Sequence, residues 1–347
     1  MKIQSIAVKI PSKKVTNQTI MDMIEEHSPK VSKVILKAYQ RMVMHMLKKS
    51  GARDRYIRDL DKGEKSSDFI RAAIQEVFDD SGVKKDEIDL VIYCGIGKGF
   101  IEPANAYFYA KMFGMEASCF DITDACMSWI RALEISYQFL KTGRYRNILI
   151  VNGEFNAYEH GYPELFEIKD IKQIKHTFPT YTIGEAASAT LLTASDDIWS
   201  FDYISKPQLA DLCTIPHENY KDFVDDSVRL GLSGPNKFVS FGQEMINHAT
   251  IYLQELVKSV VPSYNHPDIY FPHAATSTAY LLGGVDLGIE RDKMYAEVFP
   301  AYGNLVSASV PAGIRRALDE NRMKRGDSVI LFPASAGMVF SVVQFKY

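Results

Sequence analysis

Three residues of this chain have side chains suited to work on a carbonyl group: Cys126, His273 and Asn304. Cys126 stands in "FDITDACMSWIRALEISYQFLKTG", where a short strand-like run turns into a helical pattern, with Ile130, Leu133, Tyr137 and Leu140 at i+4, i+7, i+11 and i+14 from the cysteine. The N–H groups of a first helical turn lack intrahelical partners and the helix dipole is positive there. A thiolate at Cys126 is therefore expected to be stabilised, and the N–H groups beside it could hold an oxyanion. A buried cysteine that only packs is the commoner meaning of the residue type, and position does not decide between the two. His273 ends the apolar run of "DIYFPHAATS", and Asn304 lies between Gly303 and the small-residue start of a helix in "YGNLVSASVPAGI". Each of these two, taken alone, reads as structural.

The elements that would position these residues alternate along nearly the whole chain. Strands are expected at Ile3–Ile10, Leu90–Cys94, Ile148–Asn152, Ala189–Thr193, Ile269–Pro272 and Val329–Phe332, with helical patterns between them, the signature of an α/β protein. In Ser67–Ser81, Ile70, Ile74, Val77 and Phe78 share one helical face, Gly82 stops the helix, and "VKKDEIDLVIYCG" runs through a turn into a buried strand. "LDENRMKRGDSVILFPASAG" repeats that order late in the chain, a pattern of duplication without shared residues. Asn17–Lys49 reads as a methionine-rich helix pair, packed on the core or offering a contact surface to an acyl chain. The stretch from Asn156 to Tyr181 breaks the alternation with mixed aromatics and charges, as a lid or a dimer contact would.

Composition narrows the function classes. The 347 residues are 46% hydrophobic and 24% charged, with 40 basic residues scattered among 43 acidic ones, so no nucleic-acid surface is expected. No apolar run of membrane-spanning length occurs, and the N-terminal residues read as a first strand rather than a secretory signal, which points to the cytoplasm. Cys94, Cys119, Cys126 and Cys213 show neither a C-x-x-C pair nor metal-ligand spacing with histidine, so neither a disulfide framework nor a metal is expected. "GIGKGF", Gly95 to Phe100, follows a strand, but its third glycine comes one residue too early for a dinucleotide fingerprint, and no acidic residue follows at the required distance.

The three candidate residues in their settings, "DACMSW", "FPHAAT" and "GNLVSASVP", resemble the condensing enzymes of the thiolase superfamily, in particular the β-ketoacyl-acyl-carrier-protein synthase III group. "KSGARDRYI", "GEAASATLLTAS" and "SVILFPASAGMVFSVVQF" extend the likeness, in order, over nearly the whole chain. The resemblance implies a five-layered αβαβα thiolase-like fold of two similar halves, residues 1–195 carrying the cysteine and 196–347 the histidine and asparagine, in a homodimer. It also implies a transferase of fatty acid or polyketide biosynthesis that takes an acyl-CoA and works without a cofactor. Cys126 would take up the acyl group as a thioester, and His273 and Asn304 would stabilise the enolate of a second, malonyl or acyl, thioester in a Claisen-type condensation. The first oxyanion would sit between the N–H of Cys126 and one from Ser335-Ala336-Gly337. There Ala336 replaces a glycine of the family, which is tolerable only if its φ is negative.

The departures from the family pattern bear on substrate. Where the group clamps coenzyme A with an aromatic residue and an arginine, this chain has His45 and Lys49, which leaves Lys49 and Arg53 as the candidate coenzyme contacts. The arginine that meets the acyl carrier protein is missing from Ala274, Ala275, Thr276 and Thr278, so docking to a carrier protein would need another surface. "FIEPANA" puts Glu102 where many relatives have an apolar gate. Enzymes that join two acyl-CoA molecules head to head carry such a glutamate, reaching into the partner subunit as a general base, although on its own Glu102 also reads as a solvated loop residue. Transfer of the acyl group to an oxygen or nitrogen nucleophile, and a non-catalytic subunit that shapes a paralogue's site, are the remaining readings.

Overall fold

The computed structural model describes residues 1–261 and 267–347. The chain opens with β1 (Lys2–Lys9), then a two-stranded ribbon of β2 (Lys13–Thr16) and β3 (Asp54–Ile57) enclosing α1 (Asn17–Glu26) and α2 (Lys33–Ser50). There follow α3 (Ser66–Ser81), β4 (Leu90–Cys94), α4 (Asn105–Phe113), β5 (Ser118–Ile122), α5 (Ser128–Lys141) and β6 (Asn147–Glu154). Two one-turn helices, α6 (Ala157–His160) and α7 (Ile174–Thr177), lead to β7 (Ala186–Thr193). Beyond it lie β8 (Ser200–Ser205), the short pair β9 (Cys213–Thr214) and β10 (Val239–Ser240), α8 (Gly242–Val260), β11 (Ile269–Pro272), α9 (Ser277–Asp286) and α10 (Val298–Tyr302). The chain closes with α11 (Ser309–Asp319), β12 (Ser328–Phe332), β13 (Ala334–Ser335) and β14 (Val339–Lys346).

Two sheets repeat one design. The first has the order β1-β7-β6-β4-β5, in which β1–β7 and β7–β6 are antiparallel, and β6–β4 and β4–β5 parallel. The second runs β8-β14-β12-β11, antiparallel across the first two pairs and parallel across the last, with β13 also pairing β14. The duplication suggested by the two helix-turn-strand passages is thus a duplication of topology. Of the expected strands, Leu90–Cys94 and Ile269–Pro272 occur with those bounds, the first is shifted by one residue to Lys2–Lys9, and the other three extend by one or more residues. The strand-like run ahead of Cys126 is β5, whereas β8 and β14 were not foreseen; β8 carries Asp202 among its apolar residues and lies at a sheet edge, which blurs its signal.

Side-chain alternation assigns each sheet face to its layer. In β4, Leu90, Ile92 and Cys94 face the central core while Val91 and Tyr93 face α3 and α4; in β12, Val329 and Leu331 face the centre while Ile330 and Phe332 face α8. The layers are α3 with α4, sheet, α5 with α11, sheet, and α8. Helix α5 needs a wide apolar surface because it is covered by sheet on one side and by the Asn304 segment on the other, and it buries Trp129, Ile130, Ala132, Leu133, Ser136 and Leu140. Each fully buried Leu or Ile of this kind contributes roughly 1.5–3 kcal/mol. Helix α3 keeps Ile70, Ala73, Ile74, Val77 and Phe78 on its buried face and ends at Gly82, whose φ is 70°.

At the top of the central layer the halves touch through backbone. Gly184 N–H donates to the Asn304 carbonyl at 3.0 Å, and Asn304 N–H donates to that of Thr182 at 2.8 Å. Glycines make this approach possible: a Cβ on Gly184 would lie 2.1 Å from the Tyr302 carbonyl oxygen, and one on Gly303 2.3 Å from that of Thr182. Gly184→Ala should therefore cost about 1–3 kcal/mol, the scale of overpacking, with loss of activity as the strips separate. Gly82→Ala, in open space at a helix end, should cost about 1 kcal/mol and leave activity intact. Urea unfolding midpoints measure both, and equal stability of the Gly184 variant and the parent would contradict the contact.

Candidate active site

Cys126, His273 and Asn304, far apart in the chain, line one cavity of about 490 Å³ between the two halves. Cys126 does not begin the helix as expected. It sits in a single 3-10 turn, Ala125–Met127, and α5 starts two residues later at Ser128. Ala125, with φ 43°, makes the sharp reversal that presents the cysteine, and Ser128 Oγ, which donates to the Ala125 carbonyl at 2.8 Å, braces it. The carboxylate of Asp124 is drawn away to Arg131 Nε, 2.9 Å.

His273 follows the last residue of β11 and is buried, and its Nδ1 finds no partner among the described residues. Burial pushes it down to about 4, so the imidazole is neutral at pH 7 and carries one N–H. Asn304 stands after Gly303. Its Oδ1 accepts from the Val306 N–H at 2.9 Å, which leaves the two-donor amide nitrogen for the cavity. Val306 has φ 50°, costly for a β-branched residue. On the facing side, Ala336 is not among the residues of positive φ; that conformation falls on Gly337 (75°) and Met338 (53°). This meets the condition under which alanine can replace a glycine there.

The electrostatics correct one expectation. Burial pushes the Cys126 thiol well above its ordinary value, nearby Cys213 and Glu154 add to this, and the Ser335 hydroxyl and Ala336 N–H, which favour the thiolate, do not outweigh them. The resting group is a thiol. Desolvation at this buried position outweighs the stabilisation that a helix start offers a thiolate.

Lys49 and His45 line the cavity, but Arg53 does not. Arg53 precedes β3 and is exposed, while Arg55 within the strand is buried against the cavity, its guanidinium bound to the Val15 carbonyl and Asn17 Oδ1. Glu102 lies outside the cavity of its own chain, exposed on a loop tip beside Phe100 and Ile101, the latter 94% exposed. The loop is anchored behind the tip: Asn105 accepts from Gly99 and Phe100, and Asp121 accepts from the N–H groups of Asn105 and Ala106 at the start of α4. The "GIGKGF" glycines serve close packing, since a Cβ on Gly97 would lie 2.7 Å from the Gly153 carbonyl oxygen.

Much of the cavity wall is apolar. Val15, Ile20, Met23, Met46 and Ile57 come from the β2–β3 ribbon and its helices, and Ile246, Ala249, Leu253, Leu287 and Phe340 from the α8, α9 and β14 side. Of the methionines in the helix pair, Met21 packs in the core while Met23 and Met46 face the cavity. The irregular stretch 156–181 contributes Tyr162, Phe166 and Phe178 to the wall. Sequence reasoning gave no site role to Cys213 and Tyr280, which also line the cavity, and named Ser335 only for its backbone. Only the fold brings them there, and no local pattern marks them.

Residues 120–207 match the family model for 3-oxoacyl-acyl-carrier-protein (ACP) synthase III, and residues 263–347 the model for the C-terminal part of that enzyme. The β-ketoacyl-acyl-carrier-protein synthase III of Clostridium novyi is 24% identical over 98% of this chain and 96% of its own, and that of Aliarcobacter butzleri 25% identical over 86% and 88%. Among solved structures, Xanthomonas campestris OleA with bound lauric acid and lauroyl-CoA superposes with a TM-score of 0.82 at 18% identity, covering 99% of this chain and 98% of that one. The synthase III of Aquifex aeolicus does so with a TM-score of 0.79 at 20% identity, covering 100% and 99%. The fold of the chain is the thiolase fold.

The raised thiol makes a testable statement. Alkylation of Cys126 by iodoacetamide should accelerate about tenfold per pH unit through the neutral range, with no plateau below pH 9, because the thiolate fraction keeps rising until the thiol's own pKa is passed. Rates followed by peptide mass spectrometry measure this, and a plateau near pH 7 would mean a preformed thiolate.

Proposed function

The chain is a β-ketoacyl synthase III-like condensing enzyme of the thiolase superfamily, and from that premise we propose that Cys126 is its acyl acceptor and His273 and Asn304 its enolate-stabilising pair. The supporting observation is that three residues from the two halves of the chain face one largely apolar cavity, two of them carrying hydrogen-bond donors that no group among the described residues consumes. The Cys126 sulfur attacks the thioester carbonyl of an acyl-CoA. A new S–C bond forms, the bond to coenzyme A breaks, and the thiol proton leaves with the coenzyme. The oxyanion of that step is held by the N–H groups of Cys126 and Ala336, the second of which already points at the sulfur. The second thioester then places its carbonyl oxygen between the His273 N–H and the Asn304 amide. Its α-carbon, freed of CO₂ or of a proton, attacks the acyl-Cys126 carbonyl, and the cysteine leaves as a thiolate and takes up either the proton removed from the α-carbon or, where CO₂ was lost, one from solvent.

Glu102 supports a second, narrower reading, in which the second thioester is a plain acyl group and a base must remove its α-proton. We place that base across a homodimer. Strand β5 is an unpaired edge whose Phe120 and Ile122 are half-buried, and near it Phe100, Ile101 and Tyr107 are exposed, so a second copy set edge to edge would cover them and bring Glu102 toward its cavity. Two apolar stretches of wall fit two acyl chains. The division into functional halves near Ser195 and a cytoplasmic location belong to the same proposal; no described helix is long and apolar enough to cross a membrane. Helix α2 carries Lys33, Lys37, Arg41, Lys48 and Lys49 and no acidic residue, and several of these could meet the phosphates of coenzyme A or an acidic carrier protein at the cavity mouth.

Incubation with a panel of acyl-CoAs and intact-mass measurement tests the reading: the protein should gain one acyl mass, and Cys126→Ala should gain none. Asn304→Ala should acylate normally while condensation falls by about 10²–10³-fold, and equal losses in both steps would reassign Asn304. Glu102→Gln should abolish joining of two acyl-CoAs while acylation persists. If neither the parent nor the Gln variant joins plain acyl pairs and both condense a malonyl thioester at the same rate, the base assignment fails and the decarboxylative reaction remains.

A further inference from the structure

Behind the cavity wall lies a carboxylate that the reaction above does not use. Glu154, the last residue of β6, is fully buried, and no ion pair reaches it among the described residues. Its partners are all neutral donors, drawn from three segments that meet at the site. One oxygen accepts from the backbone N–H of Ser307, 3.2 Å, and from the Ser307 hydroxyl; the other accepts from the Ile96 N–H at 3.2 Å and from Asn156 Nδ2 at 2.9 Å. Ser307 is three residues beyond Asn304, Ile96 opens the loop that runs to Glu102, and Asn156 and Ile96 both line the cavity. Asn152 Nδ2 ties the cluster to the sheet, donating to Ser307 Oγ at 2.7 Å and to the Cys94 carbonyl at 3.0 Å. A buried acid costs several kcal/mol of desolvation unless its acceptors are filled. A fold seeking only stability has no use for it at this place.

We propose that Glu154 is a positioning residue for the reaction at Cys126, one buried carboxylate that clamps the Asn304 turn, the loop leading to Glu102 and the Asn156 wall in mutual register. The proposal rests on the roles given above to Cys126 and Asn304. A carboxylate is the side chain that fits, because all four hydrogen bonds demand acceptors: an amide in its place would turn an N–H₂ toward either Ser307 or the Ile96 and Asn156 donors. Its charge also reaches the nucleophile. The titratable groups facing Glu154 are Tyr93 and Cys94 of β4 and Cys126 of the turn before α5; the Ser307 and Asn156 segments present none, and Lys98 and Asp121 lie toward Cys94. Burial pushes Glu154 up to about 7, so near neutrality its charge, and with it the ease of ionising Cys126, varies with pH.

The test is Glu154→Gln in the full-length protein, read three ways. Acylation of Cys126 by acyl-CoA should persist, condensation should fall by about 10²-fold through misplacement of Asn304, and the pH profile of Cys126 alkylation should move to lower pH because a negative charge near the sulfur is gone. A residue needed only for folding would lower all activities together and leave the alkylation profile in place. Should Glu154→Gln not fold, Ser307→Ala, which removes one donor and keeps the carboxylate, should lower condensation severalfold at unchanged acylation. Unchanged condensation in whichever variant folds overturns the proposal. If the parent protein itself is never acylated at Cys126, it is the assignment of the nucleophile that fails.

Discussion

The site exists because two strips of backbone, Thr182–Gly184 from one half and Tyr302–Asn304 from the other, lie within hydrogen-bonding distance of each other. Cys126 is fixed to the first half through α5, and Asn304 and His273 to the second through α11 and β11, so the relation between the proposed nucleophile and its proposed donors is a relation between two sheets. Packing of α5 and α11 between the sheets fixes their separation, since close-packed side chains tolerate little compression. The paired strips fix the remaining freedom, sliding and tilting at the top of that layer. No side chain can intervene at Gly184 or Gly303, and so the contact acts as a stop.

Enclosure by the two halves decides the protonation states as well. Walls of Val, Ile, Met, Leu and Phe exclude the water that would solvate a charge, so His273 is held neutral and Cys126 is held as a thiol. Neutral donors suit an enolate. They stabilise negative charge that appears only during the reaction and do not bind a carboxylate-bearing ground state strongly. In the same dry setting each donor is worth more than it would be in water. In the proposed acyl transfer a thiol requires a proton acceptor at the moment of attack, and the departing coenzyme thiolate can be one.

Much of this architecture was legible in the sequence because it is carried by local patterns. The turn of a strand into a helix at Cys126, the strand ending at His273 and the Gly-Asn turn at residues 303–304 each sit within ten or so residues, and all three line the cavity. Face assignment inside the buried strands was not legible, since an unbroken apolar run such as Leu90–Cys94 has no polar side to mark. Nor was it legible that Arg55, and not Arg53, lines the cavity, since Arg53 falls just before β3 and only the folded chain shows which arginine turns inward. Glu154 and Tyr280 could not be found by any local rule, because what distinguishes them is what surrounds them after folding. The expectation of a resting thiolate failed on the same ground, as a dipole can be read from a helix start and burial cannot.

Strain is concentrated where these long-range contacts meet. Among the described residues, five that are not glycine have positive φ, and three of them, Ala125, Val306 and Met338, line the cavity. Each costs about 1–3 kcal/mol relative to relaxed backbone, and a valine more than an alanine. Each also lies next to a group to which the proposed reaction gives a part: Ala125 precedes Cys126, the Val306 N–H orients the Asn304 amide, and Met338 with Gly337 follows the Ala336 N–H. The surroundings that hold these turns are specific bonds, Ser128 on Ala125 and Glu154 on Ser307 after Val306. A strained turn held by few bonds relaxes when one is lost, and relaxation here rotates an N–H or an amide away from the cavity before it unfolds anything. Substitutions at the bracing residues should for that reason separate activity from stability, whereas substitutions in the α5 and α11 layer should lower both together.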